Sequence, residues 1–154
     1  MSPTSRSRSA GALLAAVTLG LAACSPTMTN VPYSASDGTR VDVTGDLRAV
    51  NLLVVAAEKG AEGAVQGALV NHTTEQQDFT LAVEGASPIT MNVDPGATVY
   101  LGTEGGEEVL LDTVAEAPGS YLPATLEVAG ESAELQIPVL DGTLPEYEDA
   151  VPRS

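Results

Sequence analysis

Three kinds of side chain in this sequence can do chemistry beyond packing: a single thiol, a single imidazole and a large excess of carboxylates. Cys24, within "GLAACSP", is the only cysteine, so no disulfide can form within the chain. A reactive or catalytic thiol needs an electropositive setting that lowers its pKa, and the apolar segment before Cys24 offers none. His72, within "VNHTTEQQDF", falls just past an apolar run in a polar turn. It reads as a solvent-facing turn residue, with metal ligation as the sharper alternative. Past the first residue the other soft donors are Met28 and Met91, and Met91 alternates with Ile89 and Val93 in the manner of a core residue. A soft or borderline metal needs several convergent nitrogen or sulfur donors. His72 and Met91 are the residues such a site would have to use, and no metal site is expected from them.

The carboxylates are no more specific. Glu104, Glu107 and Glu108 could face calcium, but the D-x-[DN]-x-[DN]-G loop is missing and a solvated loop is the plainer reading. There is no G-x-S-x-G elbow and no glycine-rich phosphate loop. A Ser–His–Asp triad would have to use His72, and no serine is marked as its nucleophile. The expectation is a protein that is not an enzyme and holds no cofactor. Asn71-His72-Thr73 matches a glycosylation sequon.

The segment that precedes Cys24 has its own pattern. "MSPTSRSRS" carries Arg6 and Arg8 and no acid, and Ala10 to Ala23 then runs about 14 residues without a charge. A membrane-spanning helix needs roughly 20 apolar residues. A basic head, a short apolar core and small residues at its end are the anatomy of an export signal. An amphipathic first helix fits less well, because the run is apolar on every side. Leu21, Ala22, Ala23 and Cys24 then resemble the lipobox of bacterial lipoproteins, a branched apolar residue and two small ones before the cysteine. That resemblance implies that Cys24 takes a diacylglyceryl thioether and becomes the first residue of the mature protein. Two or more acyl chains anchor firmly where one binds marginally. The implied location is the outer face of the cell membrane, with the covalent lipid on Cys24 as the anchor.

Cleavage there would leave four basic residues against 21 acids, a net charge near −17. Such a balance disfavours nucleic acid and electrostatic adhesion to anionic lipid. The reading divides the chain into a signal peptide (1–23), a lipidated cysteine with a flexible tether (24–37), a β-sandwich domain (38–140) and an acidic tail (141–154). "SPTMTNVPYSAS" is polar and aperiodic, and if extended would lift the domain by roughly 35–40 Å. The tail, "DGTLPEYEDAVPRS", is expected along the surface or disordered.

The body reads as strands. "VDV" and "LRAVNLLVVAA" are β-branched and apolar, and the second is long enough for a strand buried on both faces. "EKGAEG" signals a turn before "AVQGALVN". Phe79, Leu81 and Val83 alternate with polar neighbours, as do Ile89, Met91 and Val93. "DPG" marks the next turn, and "TVYLG" follows. "VLLDTV" reads as a short strand and "APGSYLP" as a loop, after which "ATLEV" and "AELQIPV" alternate around the compact connection "AGE". Pro138 suits a strand edge or end. No segment keeps a 3.6-residue apolar period. The expectation is one all-β sandwich, immunoglobulin-like or cupredoxin-like, of about seven or eight strands. Its end loops Gly102–Glu108 and Ala117–Pro123 are the expected binding positions.

Two stretches, "GALVNHTTEQQDFTLAV" and "APGSYLPATLEVAGESAELQIPV", resemble the exported copper-chaperone family called PCuAC across residues 41–140. The chain also resembles a group of actinobacterial lipoproteins of unassigned function, through its lipobox, acidic body and "LDGTLPEY" tail. The copper-chaperone family holds Cu(I) with histidines and methionines, including a His-x-Met pair on a late strand. "VLLDTV", Val109 to Val114, offers neither residue there. The resemblance therefore implies a fold without its copper site. Together these readings imply a lipid-anchored binding or accessory module with an envelope protein as partner. The alternative is a copper(I) chaperone-like protein with a sparse site.

Overall fold

The computed structural model describes residues 36–102 and 105–153. Cys24, its lipobox residues Leu21, Ala22 and Ala23, Met28 and Glu104 lie outside the described residues. Nine strands build the domain: β1 (Thr39–Asp42), β2 (Leu47–Ala56), β3 (Gly63–Asn71), β4 (Gln77–Val83), β5 (Ile89–Val93), β6 (Thr98–Leu101), β7 (Leu110–Leu111), β8 (Tyr121–Val128) and β9 (Glu131–Leu140). They follow the order β5-β4-β8-β9-β2-β3-β6, with β1 added to β2 and β7 to β3. The fold is an all-β sandwich with a nearly closed sheet. It exceeds the expected seven or eight strands because β1 and β7 are short pieces laid against longer neighbours.

Alternation dictates the core. In β4, Phe79, Leu81 and Val83 are buried; in β8, Leu122, Ala124, Leu126 and Val128 are. Antiparallel pairing sets Leu122 opposite Ile137 and Ala124 opposite Leu135, so their shared face is apolar at these positions. Each fully buried leucine of this kind is worth about 2–5 kcal/mol against alanine. Ala129 and Gly130 close the β8–β9 hairpin with φ of 54° and 78°. Positive φ at both central residues is the geometry whose twist matches that of the flanking strands.

Two features join the halves. β9 pairs with β8 up to Pro138, then turns to lie parallel to β2 at Val139 and Leu140. Pro138, which has no N–H to give, stands at that change of partner, two residues inside the end of a strand flanked by β8 and β2 rather than at a sheet edge. β8 begins at Tyr121, so the loop expected over "APGSYLP" is shorter than read. Gly119 N–H donates to Val139 O and Val139 N–H to Ser120 O, which draws the segment into the ladder before the proline. The strand expected over "VLLDTV" shrinks to Leu110–Leu111, yet Val109 O and Val114 N–H still hydrogen-bond to Val65 and Ala61.

The end of β3 is tied down by Asn71, which is fully buried. Its Nδ2 donates to Glu75 O, Val93 O and Asp94 O at 2.8–3.1 Å. Its Oδ1 accepts from Thr73 N–H and Thr73 Oγ1 at 2.9 and 2.7 Å. One amide thus knots the β3–β4 turn to the end of β5. In the folded chain the Nδ2 of the sequon is enclosed and occupied.

Candidate functional site

The outer face of the β2–β3 pair departs most from a simple sandwich. Pairing sets Leu53 opposite Gln66 and Val55 opposite Ala64, so these four side chains share one side of the sheet. Leu52 and Val54, which alternate with them, belong to the central core, whereas Leu53 and Val55 do not. Even so, Leu53 and Val55 are fully buried. On the side of Ala64 and Gln66, Glu146 and Asp149–Arg153 border a groove with those two residues, Gly102, Gly106 and Glu108–Leu110, about 940 Å³ in volume.

The acidic tail therefore lies along the surface as a strap. Asp141 accepts hydrogen bonds from the Thr143 hydroxyl and N–H, which hold its carboxyl below the usual carboxylate range. A single 3-10 turn spans Glu148–Ala150. Tyr147 donates its hydroxyl to Asp37 at 2.8 Å. Burial, with the Asp37 bond added to it, pushes the phenol up to about 12. The strap is thus pinned to Asp37, two residues before β1.

Gln66 forms the polar floor of the groove. It is 8% exposed, and its carboxamide has no hydrogen-bond partner among the described residues. No enclosed side-chain nitrogen or oxygen among the described residues lacks a partner, so that carboxamide opens onto the groove. Gly102, at φ +66°, lies against it: a Cβ there would clash with the Gln66 carboxamide. A residue without a side chain is what leaves the amide its space. Of the groove's charges, Asp149 pairs with Arg153 at 3.0 Å, while Glu108 and Glu146 have no ion pair among the described residues.

The residues nominated by sequence separate here. Gly102, Gly106 and Glu108 of the first nominated loop line the groove. Glu107 instead bridges to Leu101, its N–H donating to Tyr100 O at 2.8 Å. The second loop, Ala117–Pro123, joins the β9 ladder and contributes nothing to the groove. Among the described residues no three His, Cys, Asp or Glu side chains are grouped to hold a metal ion. Met91 is buried in the core opposite Phe79. His72 is exposed, with Arg48 Nη2 2.8 Å from its Nδ1. A guanidinium has only donors, so Nδ1 accepts and a neutral ring carries its proton on Nε2. Ligation through Nδ1 would have to break that contact.

Sequence reasoning missed Gln66, Glu146, Asp149 and Arg153. The signal for Gln66 was available as the one polar side chain in "AVQGALV". The tail residues carried none, because their contacts depend on how the segment folds back. The chain matches no known protein-family model, and no curated protein is significantly similar to it.

Proposed function

We propose that this protein is a lipid-anchored extracytoplasmic lipoprotein, a non-catalytic binding or accessory module held at the cell envelope through Cys24. The anchor rests on the residue pattern Leu21-Ala22-Ala23-Cys24 after a short uncharged run. The binding role rests on one structural observation, an open groove whose floor carries a buried carboxamide facing outward. Pockets that recognise ligands combine apolar lining with a few placed polar groups. In this groove Ala64, Val109 and Leu110 supply the first and Gln66 the second.

The experiment has two arms. In cells fed a labelled fatty acid, the wild-type chain should incorporate label and sediment with membranes, and Cys24→Ala should do neither. Unlabelled wild-type protein would overturn the anchor. A photocrosslinking residue at Leu110 should then give discrete adducts in intact cells, while one at Glu127 on β8 should give none. Equal, diffuse labelling from both positions would overturn the binding role.

The alternative is copper(I) chaperoning, which would have to use His72 and Met91. A Cu(I) competition titration decides it. Stoichiometric tight binding that disappears in His72→Ala or Met91→Ala would displace the binding-module reading. A weak background unchanged by either substitution is expected.

A further inference from the structure

The chain buries two carboxamides, Asn71 and Gln66, and their surroundings differ in kind. Asn71 engages five polar contacts. Gln66 engages none among the described residues, although it is more than nine-tenths buried. No enclosed side-chain nitrogen or oxygen among the described residues lacks a partner, so the Gln66 amide is reached from the groove rather than sealed inside. An amide held at the floor of an open groove without a partner in the chain is available to whatever enters the groove.

A carboxamide presents one acceptor and two donors, the complement of a main-chain peptide group. An extended peptide carries such groups at every residue and places alternate side chains on opposite sides. The groove is lined by Gly102, Gly106 and Glu108–Leu110 together with Glu146 and Asp149–Arg153 of the strap. Its rim is acidic: Glu108 and Glu146 stand without ion pairs among the described residues, in a chain of formal net charge −15. Exposed Leu110 beside them offers apolar contact. Complementary charge favours encounter and rejects like-charged partners. An acidic peptide would face repulsion at both glutamates, and a polyanion would face it over the whole surface.

We propose that this groove binds an extended, cationic polypeptide segment, with Gln66 hydrogen-bonding its main chain and Glu108 and Glu146 pairing with its Lys or Arg side chains. This rests on the binding-module reading and names the class of its partner.

The test is a fluorescence-anisotropy titration of the full chain, held in neutral detergent micelles, with a labelled ten-residue peptide alternating Lys and Val. A peptide alternating Glu and Val serves as control. Saturable binding of the basic peptide alone is expected, and it should weaken about tenfold in Gln66→Leu and at least tenfold in Glu108→Lys combined with Glu146→Lys. Glu127→Lys combined with Glu134→Lys changes the net charge equally on the outer face of β8 and β9 and should leave affinity within about twofold. Loss of affinity by the same factor in both double variants would overturn the groove as the site, leaving only diffuse attraction. No saturable binding of the basic peptide would overturn the proposal itself. Either failure is separable from the broader reading, because discrete crosslinks from Leu110 in cells would still stand for a partner of other chemistry.

Discussion

Asn71 and Gln66 lie on the same strand, five positions apart, and both residues are more than nine-tenths buried. Asn71 sits at the strand's end, where three carbonyls and a turn converge on it. Gln66 sits mid-strand, where neighbouring backbone groups are already engaged in the ladders to β2 and β6 and none remains to meet a side chain. The first amide has a structural task that is complete within the chain. The second is held in place by packing, under Gly102, without a partner among the described residues. A buried polar group fully satisfied stiffens a fold, and one left open to a groove is free to meet a ligand there.

Variants at the strap and at the two amides probe this difference. The largest effect is expected from ending the chain at Leu140, which strips one wall from the groove and should uncover Leu53 and Val55, the buried pair on the face shared with Ala64 and Gln66. At about 1.5–3 kcal/mol for each apolar side chain exposed, the loss should be on the order of 3–6 kcal/mol by urea denaturation. An unchanged midpoint would mean that the strap does not cover that face. Asn71→Ala should follow, costing about 3 kcal/mol, because carbonyls of Glu75, Val93 and Asp94 lose their donor in or near the interior. Gln66→Leu should stay within about 1 kcal/mol of wild type and is free to stabilise, since it removes an unpaired amide and keeps its volume. If Gln66→Leu proved as costly as Asn71→Ala, the two amides would not differ as described.

The smallest effect concerns pH. Tyr147 is raised from 10.0 to about 12 in the folded chain, so its proton is held more tightly there than in the unfolded one. Its contribution is fully present below pH 10 and is lost as pH rises towards about 12. Phenolate absorbance should therefore show one late-titrating tyrosine, absent in Tyr147→Phe, with release of the strap over the same interval. A titration near 10 for all tyrosines would remove the Asp37 contact from the account.

How far the sequence discloses all this depends on the range of the interactions involved. The strands with strict alternation, such as Phe79-Leu81-Val83 and Leu122 to Val128, are legible because each residue's face follows from its neighbours. The "AGE" connection is legible for the same reason, as local backbone geometry. β2 was legible as a strand covered on both faces from "NLLVV", but the sequence could not say by what. The segment that borders the groove on that side comes only at Glu146–Arg153, and its apolar members, Ala150, Val151 and Pro152, follow no period. Tyr121 to Pro123 read as loop because of the proline and the preceding Pro118 and Gly119; long-range bonds to β9 overrode that local signal. Of the groove, Gly102, Gly106 and Glu108 were legible as a loop rich in glycine and acid. Gln66 was visible only as a polar residue out of pattern, because its lack of partners is a property of the folded surroundings.

The central claim is that Gln66 is the open amide of a binding groove. The direct measurement is the pair of side-chain amide resonances of Gln66 and Asn71, followed by NMR in the full chain while the Lys-Val peptide is added. The Gln66 signals are expected to shift saturably while those of Asn71 stay where they are. Gln66 signals that do not move at saturating peptide, or that move no more than those of Asn71, would contradict the claim.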